Sequence, residues 1–184
     1  MLSHRTERFL NVLALFAISA VLIVAFADQI LLGELPCPLC LLQRAGFLLL
    51  AIGPVLTVMR GPQAAHYGVT ILAALLGAGF AGRQVLLHIL PGDPGYGSPF
   101  LGLHFYTWAF VVFVAALLAC AVMLLLRDPA PVADEDKERA GRPVLGGVAV
   151  ALIVVLAGLN TGSTLLECGF DVCPGDPTEY RLLR

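Results

Sequence analysis

Apolar residues in this chain come in long unbroken blocks rather than in alternation with polar ones. Five blocks, 9–27, 41–59, 67–90, 100–126 and 144–166, are each long enough to cross a bilayer as a helix, which takes about 20 apolar residues. The pattern predicts an all-α polytopic membrane protein: a four-helix transmembrane bundle plus a fifth transmembrane helix, in one integral-membrane domain over residues 1–184. Gly and Pro crowd 91–99, so that connection is irregular. The segment 128–143 is rich in Pro, Ala and charges of both signs and reads as a solvated linker, with 167–184 as a tail. Arg5 and Arg8 precede the first block as in a signal peptide. The apolar run is long, however, and no small-residue cleavage site follows, so the block is expected to stay as an anchor.

Composition narrows this picture. The chain has 184 residues, 59% of them hydrophobic and 13% charged, and a mean hydropathy of +0.89. A soluble domain carries about 25% charged residues. The net charge of −2 gives no footprint for nucleic acid. Lys and Arg set the orientation, because they stay on the cytoplasmic side of short loops. Arg5, Arg8, Arg60, Arg127, Lys137, Arg139 and Arg142 all fall on one side, whereas 28–38 and 91–99 hold none. Arg181 and Arg184 in the tail are a minor exception. The N-terminus and the 128–143 linker are therefore expected in the cytoplasm, with the C-terminus outside.

That topology puts two cysteine pairs outside, where disulfides persist. Cys37-Pro38-Leu39-Cys40 is a C-x-x-C, and Cys168 and Cys173 form a C-x4-C. The first pair opens the second helix, with Pro38 suited to a first helical position. A helix N-terminus stabilises a thiolate, and a C-x-x-C disulfide exchanges readily. A structural staple is the competing reading, although so short a loop restrains little unfolded chain. For Cys168 and Cys173 a static disulfide closing a small loop competes with a mobile redox shuttle. Cys120 lies deep in the fourth block, with no cysteine near it in sequence, and reads as a small buried apolar residue.

Polar residues inside the blocks single out further candidates. Arg44 follows Cys40 by four residues, on the same helical face and one turn deeper. An ionisable group at membrane depth is costly and marks function by default, with snorkelling to the headgroups as its alternative. Arg83, Gln84 and His88 sit in the third block at similar outer depth. Together with Gln43 and Arg44 they suggest a polar pocket for a flat lipophilic carbonyl compound such as a quinone. Ala74, Ala78 and Gly82, four apart, read as a smooth packing face. Tyr106 and Trp108 fit an interfacial aromatic belt, and His104 beside them is a weaker cofactor candidate.

The stretch Leu35-Pro36-Cys37-Pro38-Leu39-Cys40-Leu41-Leu42-Gln43-Arg44 resembles the signature of the disulfide bond formation protein B (DsbB) family, and the resemblance extends through the first four helices. It implies a bacterial inner-membrane four-helix bundle with a bound quinone, ubiquinone or menaquinone. It also implies a periplasmic thioredoxin-fold dithiol oxidase (DsbA-like) as partner, whose electrons pass to the quinone. By motif position, Cys37 and Cys40 are the quinone-proximal pair and Arg44 lies beside the quinone. Well-known members carry their second pair between helices three and four. This chain has no cysteine there and offers Cys168 and Cys173 after a fifth helix instead.

The expected activity is thus that of a quinone-dependent thiol oxidase, with Cys37, Cys40, Cys168 and Cys173 catalytic and Arg44, Arg83, Gln84 and His88 binding the cofactor, in contact with membrane lipid. Two alternatives stand beside it: a non-catalytic protein with two structural disulfides, and a metal site, for instance for zinc, built from all four outer cysteines.

Overall fold

The structure, a computed structural model, describes residues 1–128 and 144–183. It is all-helical, with no strand among the described residues. The helices are α1 (His4–Leu31), α2 (Pro38–Leu50), α3 (Ile52–Arg60), α4 (Ala64–Leu87), α5 (Phe105–Leu126) and α6 (Val144–Cys168), followed by a 3-10 turn at Arg181–Leu183. Among the described residues, five units are long and apolar enough to cross a membrane: α1, α2 with α3, α4, α5 and α6. Apart from Asp128, the expected 128–143 linker lies outside the described residues.

Local chemistry explains the helix boundaries. Ser3 caps α1, its side chain accepting from Thr6 N. The second crossing breaks at Ala51, between α2 and α3. Pro54 is the cause: it has no N–H for the Leu50 carbonyl, and its ring crowds that same carbonyl. Gly61, at φ 87°, ends α3. α5 begins at Phe105 rather than at 100, because the preceding residues form a tight turn in which Phe100 and Leu103 pair and Gly102 has φ 82°.

Helices α2 and α4 pack closely where Phe47 of α2 stacks on Phe113 of α5, ring centroids 4.3 Å apart. The fit depends on Gly46 and Gly77, since a Cβ on Gly77 would enter the Phe113 ring. Between apolar helices in lipid, such close approach supplies the packing that water would otherwise drive. α4 contacts α2, α3 and α5, while α1 contacts α3 and α6. Leu72, Leu118, Leu125 and Val154 point outward, as a lipid-facing surface requires.

One end of the bundle holds a polar lock. Leu2 N donates to Leu126 O at 2.8 Å, and Arg127 Nε lies 3.7 Å from the buried Glu7 carboxylate. The start of α1 and the end of α5 therefore share one end. By alternation, the start of α2 and the end of α6 share the other. Both cysteine pairs thus lie at the same end of the bundle.

Candidate functional site: a disulfide and an arginine at one cavity

Cys37 and Cys40 form a disulfide with Cα atoms 4.9 Å apart, and Cys168 and Cys173 form another at 4.5 Å. Cys37 is the N-cap of α2, and its Sγ accepts from Cys40 N at 3.1 Å. Pro38 occupies the first helical turn, where its missing N–H costs nothing. The sulfur pair therefore sits on the positive end of a helix, a setting that favours thiolate when the bond is broken.

Cys40 opens onto a cavity of about 460 Å³. Its walls are chiefly apolar, with Val21, Phe105 and Trp108 among them, and Arg44 lies at the same wall as Cys40. Arg44 is 8% exposed. It does not snorkel out: Nη1 donates to Gln29 Oε1 at 2.6 Å, Nη2 donates to Ala25 O at 2.8 Å, and the guanidinium lies over the Phe26 ring. Two of its five N–H groups are thereby used, leaving donors for a ligand. An apolar slot with a cationic donor and a sulfur at one end fits a flat ring bearing carbonyl oxygens.

The segment 91–104 covers this cavity. Tyr96, a wall residue, donates its hydroxyl to Leu35 O at 2.7 Å, and Ser98 N donates to Glu34 Oε2 at 2.9 Å. Burial, with Asp176, Glu167 and Glu34 nearby, pushes the Tyr96 phenol up to about 12. Asp93 moves the other way. The Gly95 N–H and then His88 hold its carboxyl below the usual carboxylate range.

The remaining expected site residues separate. Gln84 is 1% exposed but is not part of the cavity wall. It faces the sulfurs, with Nε2 3.3 Å from Cys37 Sγ and 3.7 Å from Cys40 Sγ, while Gln43 Nε2 donates to its Oε1 at 2.6 Å. Arg83 is exposed and does not line the cavity. Consecutive helical residues lie about 100° apart, so an inward Gln84 turns Arg83 out. His88 follows the end of α4, pairs with Asp93 at 3.0 Å and packs against the wall residue Tyr106 without lining the cavity itself. His104 holds the N-cap position of α5 without a side-chain capping bond and stacks on the same Tyr106. Cys120 is a buried free thiol.

Around the second disulfide, Cys168 is buried, Cys173 is half-buried, and Phe170 between them is 96% exposed. Arg181 Nη1 donates to Val172 O at 3.0 Å, folding the tail back onto the loop. Among the described residues, no group of three His, Cys, Asp or Glu converges as a metal site. Sequence reasoning missed Gln29, Ser163, Tyr180 and, as a buried group, Glu167. Glu167 is 0% exposed, neither of its oxygens has a hydrogen-bond partner, and it interacts electrostatically with Arg44. An ionisable residue in the last turn of an apolar helix was the available signal.

Residues 7–96 match the family model described as disulfide bond formation protein DsbB. Among similar curated proteins, disulfide bond formation protein B of Marinobacter nauticus is 38% identical over 92 residues, 48% of this chain and 55% of the relative. The protein of that name from Xanthomonas axonopodis pv. citri is 41% identical over 86 residues, 44% of this chain and 50% of the relative. The one from Nitrosomonas eutropha is 36% identical over 88 residues, 46% and 54% of the two chains. The chain thus spans about half the length of the curated relatives it matches. No solved structure matches it significantly. The match ends at residue 96, so α5, α6 and the second disulfide lie beyond it, and the resemblance is shorter than the four helices expected from sequence. The stretch from α1 to α4, which carries the Cys37–Cys40 disulfide and Arg44, is thus similar to the DsbB family of disulfide bond formation proteins.

Proposed function

We propose that this protein is a quinone-dependent thiol oxidase of the bacterial inner membrane that reoxidises a periplasmic thioredoxin-fold dithiol protein. The observation that carries the reading is the joint placement of Cys40 and Arg44 on the wall of one largely apolar cavity.

The second disulfide is the entry point. Cys173 is the less buried residue of the pair, so an incoming partner thiolate attacks there and Cys168 leaves as thiolate. The partner's second thiol resolves the mixed disulfide, which oxidises the partner by two electrons and leaves Cys168 and Cys173 reduced. Exchange with Cys37–Cys40 restores the second disulfide and reduces the first. Gln84 and the α2 N-terminus hold the resulting thiolates, with Cys40 towards the cavity. A ubiquinone or menaquinone bound in the cavity supplies the final acceptor for two electrons and two protons. Arg44 offers fixed positive charge and N–H donors where negative charge would otherwise be costly. In this reading the N-terminus is cytoplasmic and the C-terminal tail periplasmic, as the Lys and Arg asymmetry requires.

The test is quinone reduction by the purified protein supplied with a reduced thioredoxin-fold dithiol. Wild type should turn over and Cys40→Ser should not. The Cys168→Ser/Cys173→Ser double variant should fail with the protein partner yet slowly oxidise a small dithiol that reaches Cys37–Cys40 directly. Absence of quinone reduction by the wild type with either donor would overturn the reading. Normal turnover of the double variant with the protein partner would make the second disulfide structural.

A further inference from the structure

Gln29 joins four parts of the chain. It lies near the end of α1 and is buried. Its Oε1 accepts from Arg44 Nη1 of α2 at 2.6 Å, and its Nε2 lies 2.9 Å from Ser163 Oγ of α6 and 2.9 Å from Tyr180 Oη of the tail. The orientation of the amide is forced. A guanidinium has donors only, so the atom that meets Arg44 must be the carbonyl oxygen. The NH2 then points at two hydroxyls, which accept its hydrogens.

We propose that Gln29 is the positioning residue of Arg44, and that the fifth helix and the tail set its orientation through Ser163 and Tyr180. This rests on the reading in which Arg44 serves the cavity. Ser163 and Tyr180 lie outside the 7–96 region shared with the DsbB relatives, so the added C-terminal part of the chain completes the surroundings of an arginine that the shared part supplies. Charge points the same way. The groups that interact electrostatically with Arg44 are Glu167 of α6, Asp28 of α1 and Tyr180 of the tail. Glu167 thus lies near Arg44 on the same helix as Ser163, buried and without a hydrogen bond. Asp28 and Gln29 approach from α1, and Phe26 supports the guanidinium face. Without Gln29 the guanidinium keeps its charge and its bond to Ala25 O but loses one of the two acceptors that fix its plane. Ligand binding should suffer in geometry more than in electrostatics.

The experiment is titration of a short-chain ubiquinone into the purified full-length protein with both disulfides oxidised, read as Kd, followed by steady-state KM and kcat. Gln29→Leu should weaken binding about tenfold, the effect of losing one charge-assisted hydrogen bond, with KM rising more than kcat falls. Gln29→Glu keeps an acceptor for Arg44, and the Ser163 and Tyr180 hydroxyls can turn to donate. It should bind close to wild type. Tyr180→Phe removes one hydroxyl at little risk to folding and should weaken binding several-fold. Wild-type Kd in both Gln29→Leu and Tyr180→Phe, with Arg44→Ala impaired, overturns the positioning role and leaves the site reading intact. Wild-type Kd in Arg44→Ala overturns both. A loss in Gln29→Leu that Gln29→Glu does not restore also overturns the proposal, since it marks Gln29 as a packing residue.

Discussion

The carboxamide of Gln84 points its nitrogen at Cys37, 3.3 Å from Sγ, although the two residues are 47 apart in sequence. An N–H aimed at a sulfur matters little while the sulfur is in a disulfide and more once it is a thiolate, because a charged acceptor strengthens the bond. Gln84→Leu should therefore destabilise the reduced form of Cys37–Cys40 by about 1.4 kcal/mol, lowering the potential of the pair by about 30 mV. Redox titration with alkylation of the released thiols checks this. An unchanged potential would make Gln84 a packing residue.

Arg44 is predicted to act through both charge and shape. Arg44→Lys should stay partly active with a raised KM for quinone, since it keeps the charge but not the planar fork. Arg44→Ala should lose at least about tenfold in kcat/KM, the effect of one missing charge-assisted contact, while the Cys37–Cys40 disulfide still forms. Unchanged KM and kcat in Arg44→Ala would remove the residue from the site.

Arg44 was legible in the sequence because the cue is local: four residues after Cys40 on one helix puts the two on one face. The five crossings were legible for a similar reason, each being a continuous apolar run. Arg83 and Gln84 were harder. Both are polar and adjacent, and only packing of α4 against α2 and α5 decides that Gln84 points inward. Gln29 carried no cue at all, since its partners Ser163 and Tyr180 are 134 and 151 residues away. The covering of the cavity by 91–104 was likewise hidden, because Gly and Pro announce irregular backbone without saying where it rests.

Tyr96 provides a pH signature for that cover. Its phenol is pushed up to about 12 from the ordinary 10.0. A raised value favours the neutral, donating form, so its contribution is complete below pH 10 and is lost as pH climbs from 10 towards 12. The tyrosinate absorbance of the wild type minus that of Tyr96→Phe should therefore titrate near the upper value. A difference titrating at 10 would mean that Tyr96 is solvated and does not close the cavity.

Topology is open to a reporter assay. A reporter active only in the periplasm, fused after Leu183, should work, and the same reporter inserted within 128–143 should be silent. The reverse result would put both disulfides on the side of the membrane opposite the proposed thiol partner.

Packing gives a stability test far from the chemistry. Gly77→Ala would push its methyl into the ring of Phe113, which is fully buried against Phe47. Overpacking of that kind costs about 1–3 kcal/mol, and the apparent Tm in detergent should fall. A Tm at or above that of wild type would show that α4 can move away from α5 without loss.

The polar bridge at Gln29 also bears on how the protein is made. Residues 25–44 leave the ribosome early, and in principle they can insert as a hairpin of α1 and α2 with Arg44 already in place. Ser163 and Tyr180 emerge only after four crossings have been synthesised. Until α6 inserts, the amide of Gln29 has no hydroxyls to hold it. The nascent protein therefore carries an unfinished arginine site through most of its synthesis, and insertion of the fifth helix is the step that completes it.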